Sequence, residues 1–125
     1  MVKPNSRGMF TVSVEYGPSM VLIACSGPAT ATEICSALWF GGEIARRAKR
    51  PQFLFDLLAV DFEGTDGDRE EIGLVAASLL GRVDRVAVVL SAAQNTGVGE
   101  RFARESGLKL CNFESLAPAI DWLTA

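Results

Sequence analysis

Phe10, Val12, Val14 and Tyr16 alternate with Thr11, Ser13 and Glu15, the two-residue period of a strand with one buried and one wet face. Gly17 and Pro18 then turn the chain into the apolar run 20–25, so the pattern opens on a hairpin that ends before Gly27-Pro28. Thr30 with Glu33 three positions on reads as a capping box, in which each residue satisfies an N–H of the other. The spacing predicts a helix from there, with Ile34, Leu38 and Ala45 turned inward and a stop near Arg50-Pro51, its basic end matched to the helix dipole. Gly41 and Gly42 lie inside it. Each costs about 1 kcal/mol relative to alanine, which predicts a bend in preference to a close approach by another backbone.

Residues 53–58 form a nearly continuous apolar run, as expected of a strand covered by helices on both faces. An acidic loop is expected to follow as far as Gly67, and Ile72, Val75, Ala76, Leu79 and Leu80 then mark an amphipathic helix that ends at Gly81. Residues 86–90 repeat the buried-strand signature. A third helix over 97–106 presents Val98 and Phe102 on one face and stops at Gly107. After a short strand over 108–113, Ser115 is placed to cap a fourth helix, with Pro118 tolerated in its first turn and Leu116, Ala119, Ile120 and Leu123 as its inward stripe. The order β-β-α-β-α-β-α-β-α gives an α/β fold, a mixed sheet of about five strands with four helices and three right-handed crossovers.

With 125 residues and 49% hydrophobic content, the chain reads as one domain over 1–125, with the polar residues 1–8 flexible. It has no histidine, which removes Ser-His-Asp and Cys-His nucleophiles, HExxH zinc sites and histidine proton shuttles. Cys25, Cys35 and Cys111 stand far apart with no CxxC, so they read as reduced core residues, neither a disulfide framework nor a thiolate cage. No secretory signal is visible and the apolar runs are too short to span a bilayer; a cytoplasmic location without a membrane span is expected. The net charge of −3 is wrong for general nucleic-acid binding. Asp61, Glu63, Asp66, Asp68, Glu70 and Glu71 crowd into eleven positions with Arg69 as their only base.

That acidic segment invites a calcium or magnesium site, but the spacing fails. Counted from Asp61, the sixth position is Asp66 where an EF-hand needs glycine, and the twelfth is Ile72 where it needs glutamate. Gln94-Asn95-Thr96-Gly97-Val98-Gly99 lacks the third glycine of a dinucleotide fingerprint, and neither a P-loop nor GxSxG occurs. No base, nucleophile and oxyanion donor assemble from these motifs. The sequence predicts no enzyme, no metal and no cofactor.

Three segments carry a resemblance. Leu54-Phe55-Asp56-Leu57 with Val60 and Phe62, residues 85–89 (Arg-Val-Ala-Val-Val), and Phe113 followed by Ala119-Ile120-Asp121-Trp122-Leu123 resemble, in order and spacing, STAS-like domains, and within them the SpoIIAA-like (STAS/SEC14-like) branch. The resemblance covers nearly the whole chain and implies a non-enzymatic binding or regulatory module that acts through protein–protein interaction. In sigma-regulating STAS proteins the second helix opens with Asp-Ser-Ser-Gly, whose second serine is phosphorylated. Here Gly64-Thr65-Asp66-Gly67 stands in that place, with Asp66 at the phosphorylated position. Either a fixed charge replaces the phosphate or the switch is absent.

The partner-binding loop implied by the resemblance is Thr65, Asp66, Gly67 and Asp68, before the second helix, and the partner is a protein of unknown identity or a second copy in a homodimer. The SEC14-like side of the resemblance implies an alternative, a carrier or sensor of a small apolar, lipid-like ligand. For that pocket, or for an interface, Trp39, Phe40, Phe62 and Trp122 are the candidate residues.

Overall fold

In the computed structural model, which describes residues 8–49 and 51–125, the alternating segment becomes β1 (Thr11–Tyr16), antiparallel to β2 (Met20–Ala29). There follow α1 (Ala31–Ala48), β3 (Gln52–Phe62), α2 (Asp66–Leu80), β4 (Arg85–Val89), α3 (Val98–Glu105), β5 (Leu110–Phe113) and α4 (Leu116–Leu123). The expected flexible N-terminal tail falls, for residues 1–7, outside the described residues. The five strands lie side by side in chain order, and β2 to β5 pair in parallel.

Chain-order strands decide where the helices go. Right-handed crossovers that always step in the same direction leave every crossover helix on the same face. The core divides accordingly. Val21, Ile23, Phe53, Phe55 and Val86 face α1, α2 and α3 through Ile34, Leu38, Ala76 and Ala103. Leu54, Ala87 and Val89 face the other way, against Ala119 and Leu123 of α4. Residues 53, 54 and 55 are therefore all buried, as the continuous apolar run requires of a strand packed on both faces.

Several expectations change. β2 does not stop at Gly27-Pro28 but runs on to Ala29, with an irregularity between Ala24 and Ser26. Pro28 is tolerated because β1 has already left that edge, its last pairing being Thr11 with Ser26. Gly27 has φ +98°, and the Met9 carbonyl occupies the space a Cβ would need. The longer β2 gives β3 something to pair with as far as Ala29–Phe62. Asp61 and Phe62 thus belong to the strand, and the acidic loop shrinks to residues 63–65.

The bend expected at Gly41-Gly42 is absent. α1 runs unbroken through both residues because they serve close approach: a Cβ on Gly41 would lie 2.9 Å from Phe55 Cζ, and one on Gly42 3.2 Å from the Leu79 carbonyl oxygen. α1 ends at Ala48 on a left-handed Lys49, φ 54°, just before the expected stop. β5 begins at Leu110, two residues later than expected. Ser115 occupies the N-cap position of α4 without a side-chain cap bond, and only Ala119 and Leu123 of the expected inward stripe are buried, Leu116 and Ile120 remaining exposed. The short α4 covers mainly β3 to β5, too narrow a contact to bury all four apolar residues.

Candidate functional site

The start of α2 is built by a reciprocal cap. The Thr65 hydroxyl accepts from the Asp68 N–H at 3.1 Å, and the Asp68 carboxylate accepts from the Thr65 N–H at 2.9 Å. This satisfies two donors that a helix N-terminus otherwise leaves open. The same pair places two acids, Asp66 and Asp68, in the first turn, where the helix dipole favours negative charge. Thr65, Asp66 and Gly67 are exposed, whereas Asp68 is half-buried and engaged by the cap. Asp66 is the outward-facing charge, its side chain 75% exposed.

Behind this turn Arg69 ties the segment to the sheet. Its guanidinium lies 5.2 Å from the centroid of the Phe62 ring, within cation–π range, and reaches both Asp66 and the Gln94 side-chain oxygen at 3.4 Å. The Gln94 amide in turn donates to the Phe62 carbonyl at 3.5 Å. Gly64 lies flat on Phe62, whose ring fills the position a Cβ would take. At the base, the Glu63 N–H donates to the Ala29 carbonyl at 2.8 Å. The exposed acids are therefore presented on a backbone held from several sides.

Under α2 lies an apolar pocket of 120 Å³, open on one side and lined by residues of α1, α2, α3 and the sheet, with Leu38, Phe55, Ala76, Val88 and Leu110 among its walls. Its polar border is made by Arg69, Gln94, Thr96, Glu100 and Asn112. Glu100 accepts from the Asn112 N–H at 2.8 Å, and the Asn112 side chain donates to Asn95 at 3.0 Å. Sequence reasoning expected a pocket between helices and sheet only through the family resemblance, with Phe62 as the one candidate that lines the present cavity, and missed Arg69 and Gln94. The small residues Gly73 and Ala76, one turn apart on α2, were the available signal, but small residues mark close packing equally well. Gly73 does pack closely, against the Gly99 backbone of α3.

No family model matches the sequence, and no curated protein matches it. Among solved structures, an anti-sigma factor antagonist from Mycobacterium paratuberculosis superimposes with a TM-score of 0.67 at 20% identity, covering 100% of both chains. An uncharacterized protein from Shewanella loihica, described as having a SpoIIAA-like fold, superimposes with a TM-score of 0.55 at 17% identity, covering 91% of this chain and 93% of that one. The chain has the SpoIIAA-like, or STAS, fold.

Within this SpoIIAA-like fold the four aromatic candidates do not gather at one place. Phe62 borders the cavity. Trp39 and Phe40 lie on the outer side of α1, 59% and 44% exposed. Trp122 is on the opposite side of the sheet, where its ring packs on Phe113 with centroids 5.8 Å apart and beneath Arg85 at 5.3 Å. A single pocket uniting all four is therefore not what the fold builds, because consecutive positions on α1 diverge by about 100° and α4 covers the other face. Burial pushes the Cys25 thiol up to about 11, with the nearby Asp56 carboxylate adding to the shift. Burial also raises Cys35 and Cys111, the opposite of what an activated thiolate needs. Among the described residues no group of three or more cysteine, aspartate or glutamate side chains could hold a metal, and no helix is long and apolar enough to cross a membrane.

Proposed function

We propose that this chain is a non-enzymatic regulatory module that works by docking a protein partner on the exposed start of α2. Thr65, Gly67 and Asp68 shape the turn, and Asp66 supplies the outward charge. One observation carries the reading: a carboxylate left 75% exposed stands on a turn fixed by a reciprocal cap and by the Phe62–Arg69 contact. A preformed, charged helix start loses little conformational freedom on binding and steers a partner of opposite charge. The partner is accordingly a protein with a basic docking face. The similar structure from Mycobacterium paratuberculosis is named for opposing an anti-sigma factor, which makes a protein regulator of that kind the first class to try. Three free cysteines suit a reducing compartment, the cytoplasm, as the place of action. Trp39 and Phe40, exposed side by side, support self-association through α1 as a second contact surface.

The test is charge reversal. Asp66→Lys with Glu70→Lys, both at exposed positions, is expected to lower the melting temperature by about 5 °C at most, through loss of the favourable dipole and Arg69 contacts of Asp66, and to leave the fold intact. The affinity for a partner captured from the source cells and then purified should fall roughly tenfold or more, as expected when a steering charge is inverted. Unchanged affinity would show that the partner docks elsewhere.

A further inference from the structure

The cavity beneath α2 has a chemistry of its own, independent of partner docking. Its walls at Phe55, Ala76 and Val88 are apolar, and Ala76 is 2% exposed, so a body placed against it leaves water. Its polar border lies where β3 and β4 end, at Phe62, Arg69 and Gln94, the edge at which α/β sheets receive ligands. At 120 Å³ it is slightly smaller than an apolar cavity of about 150 Å³ that stays dry and takes up benzene, and well below the roughly 300 Å³ at which drug-sized pockets begin. The enclosed part fits one six-membered ring.

Arg69 sets the head group. A guanidinium offers five N–H donors in a fixed fork. Its contacts to Asp66 and Gln94 are both 3.4 Å, long against the roughly 2.7–2.9 Å of a well-made charge-assisted bond, so its donor capacity is largely unspent. The Phe62 ring holds it in place, and its side chain is only 20% exposed. Glu100, the other charged residue on the border, is engaged by the Asn112 N–H. We propose that this cavity is a binding site for a small molecule with an apolar body the size of one six-membered ring and a hydrogen-bond-accepting head, a carboxylate or carboxamide, held at Arg69.

The experiment titrates isotope-labelled protein with benzoate, benzamide and benzylamine and follows the backbone amides by NMR. Benzoate and benzamide should shift amides around Arg69, Ala76 and Gln94 saturably, with a Kd of about 0.1–1 mM, the range open to about nine heavy atoms. Benzylamine, a cation without an acceptor, should bind roughly tenfold more weakly or not at all. Arg69→Gln should weaken benzoate roughly tenfold. Ala76→Leu, which occupies the place of the ring, should abolish binding of every probe while the remaining amide spectrum stays native; should that variant fail to fold, Val88→Leu serves the same purpose from the sheet side. No saturable shift up to about 10 mM, shifts confined to other parts of the molecule, benzylamine binding as tightly as benzoate, or undiminished binding in a folded cavity-filling variant would each overturn the assignment.

Discussion

Gly73 and Gly41 are both helical glycines, yet what each faces differs. A Cβ on Gly73 would run into the Gly99 carbonyl, with the Ala103 nitrogen 3.2 Å away, all of it backbone of α3 and its approach. A Cβ on Gly41 would meet only side-chain ends, Phe55 Cζ at 2.9 Å and Ile23 Cδ1 at 3.2 Å. Side chains can yield where backbone cannot, and alanine regains about 1 kcal/mol of helix propensity at either position. Gly73→Ala is therefore expected to cost about 2–3 kcal/mol through forced separation of α2 and α3, and Gly41→Ala less than half of that. Urea denaturation of the two variants checks this; equal losses would contradict the close α2–α3 approach. At this scale the sequence pointed to the right residues for the wrong reason. Gly41 and Gly42 stand out in a helical pattern, but a bend and a close approach leave the same mark there, and only the neighbours decide.

The elements were legible wherever local chemistry settles them. The Thr30–Glu33 signal is real: the Glu33 carboxylate accepts from the Thr30 hydroxyl at 2.6 Å and from its N–H at 2.7 Å, and these bonds hold the Glu33 carboxyl below its ordinary range. The matching box at Thr65 and Asp68 is hard to read from the sequence, because aspartate stands where the usual pattern has glutamate and residue 65 reads as part of a longer acidic loop. That loop also hid the end of β3. Asp61 and Phe62 are polar and aromatic neighbours in a run of acids, and they read as strand only once β2 is known to extend to Ala29, a long-range fact. Because the Thr65–Asp68 bonds form one reciprocal unit, Thr65→Ala should cost about 1 kcal/mol, and adding Asp68→Ala should cost distinctly less than the sum of the two single changes. Thermal melts of the two single variants and the double variant check the claim; strict additivity would show that the two bonds act separately.

For the whole molecule, the element order predicts a mixed α/β sheet with three crossovers, and the structure adds the order of the strands within it. Strands laid down in chain order with crossovers of one hand place three helices on one face, and the apolar positions of β3 supply a core for both. What the order could not convey is where that packing leaves room. The cavity exists because Ala76 and Gly73 bring α2 close to its neighbours while Phe55, Val88 and Leu110 line the space beneath, an arrangement set by residues far apart in the chain. The same geometry carries Arg69 from an acidic stretch to the face of Phe62 and turns Asp66 outward. Thus the proposed docking turn and the proposed ligand site both lean on Arg69 and Phe62, and each is tested at positions the other does not use, Asp66 and Glu70 for the turn and Ala76 for the cavity.

The most direct test of the docking claim is to place a photoreactive amino acid at Glu70, exposed one turn on from Asp66, in the living source cell, with a second copy of the experiment at Trp39, and to identify what becomes cross-linked. Docking at the start of α2 predicts a discrete adduct with one heterologous protein from position 70, lost when Asp66→Lys is added. An adduct that forms from position 39 and never from position 70 would contradict the account and move the working surface of the molecule to α1.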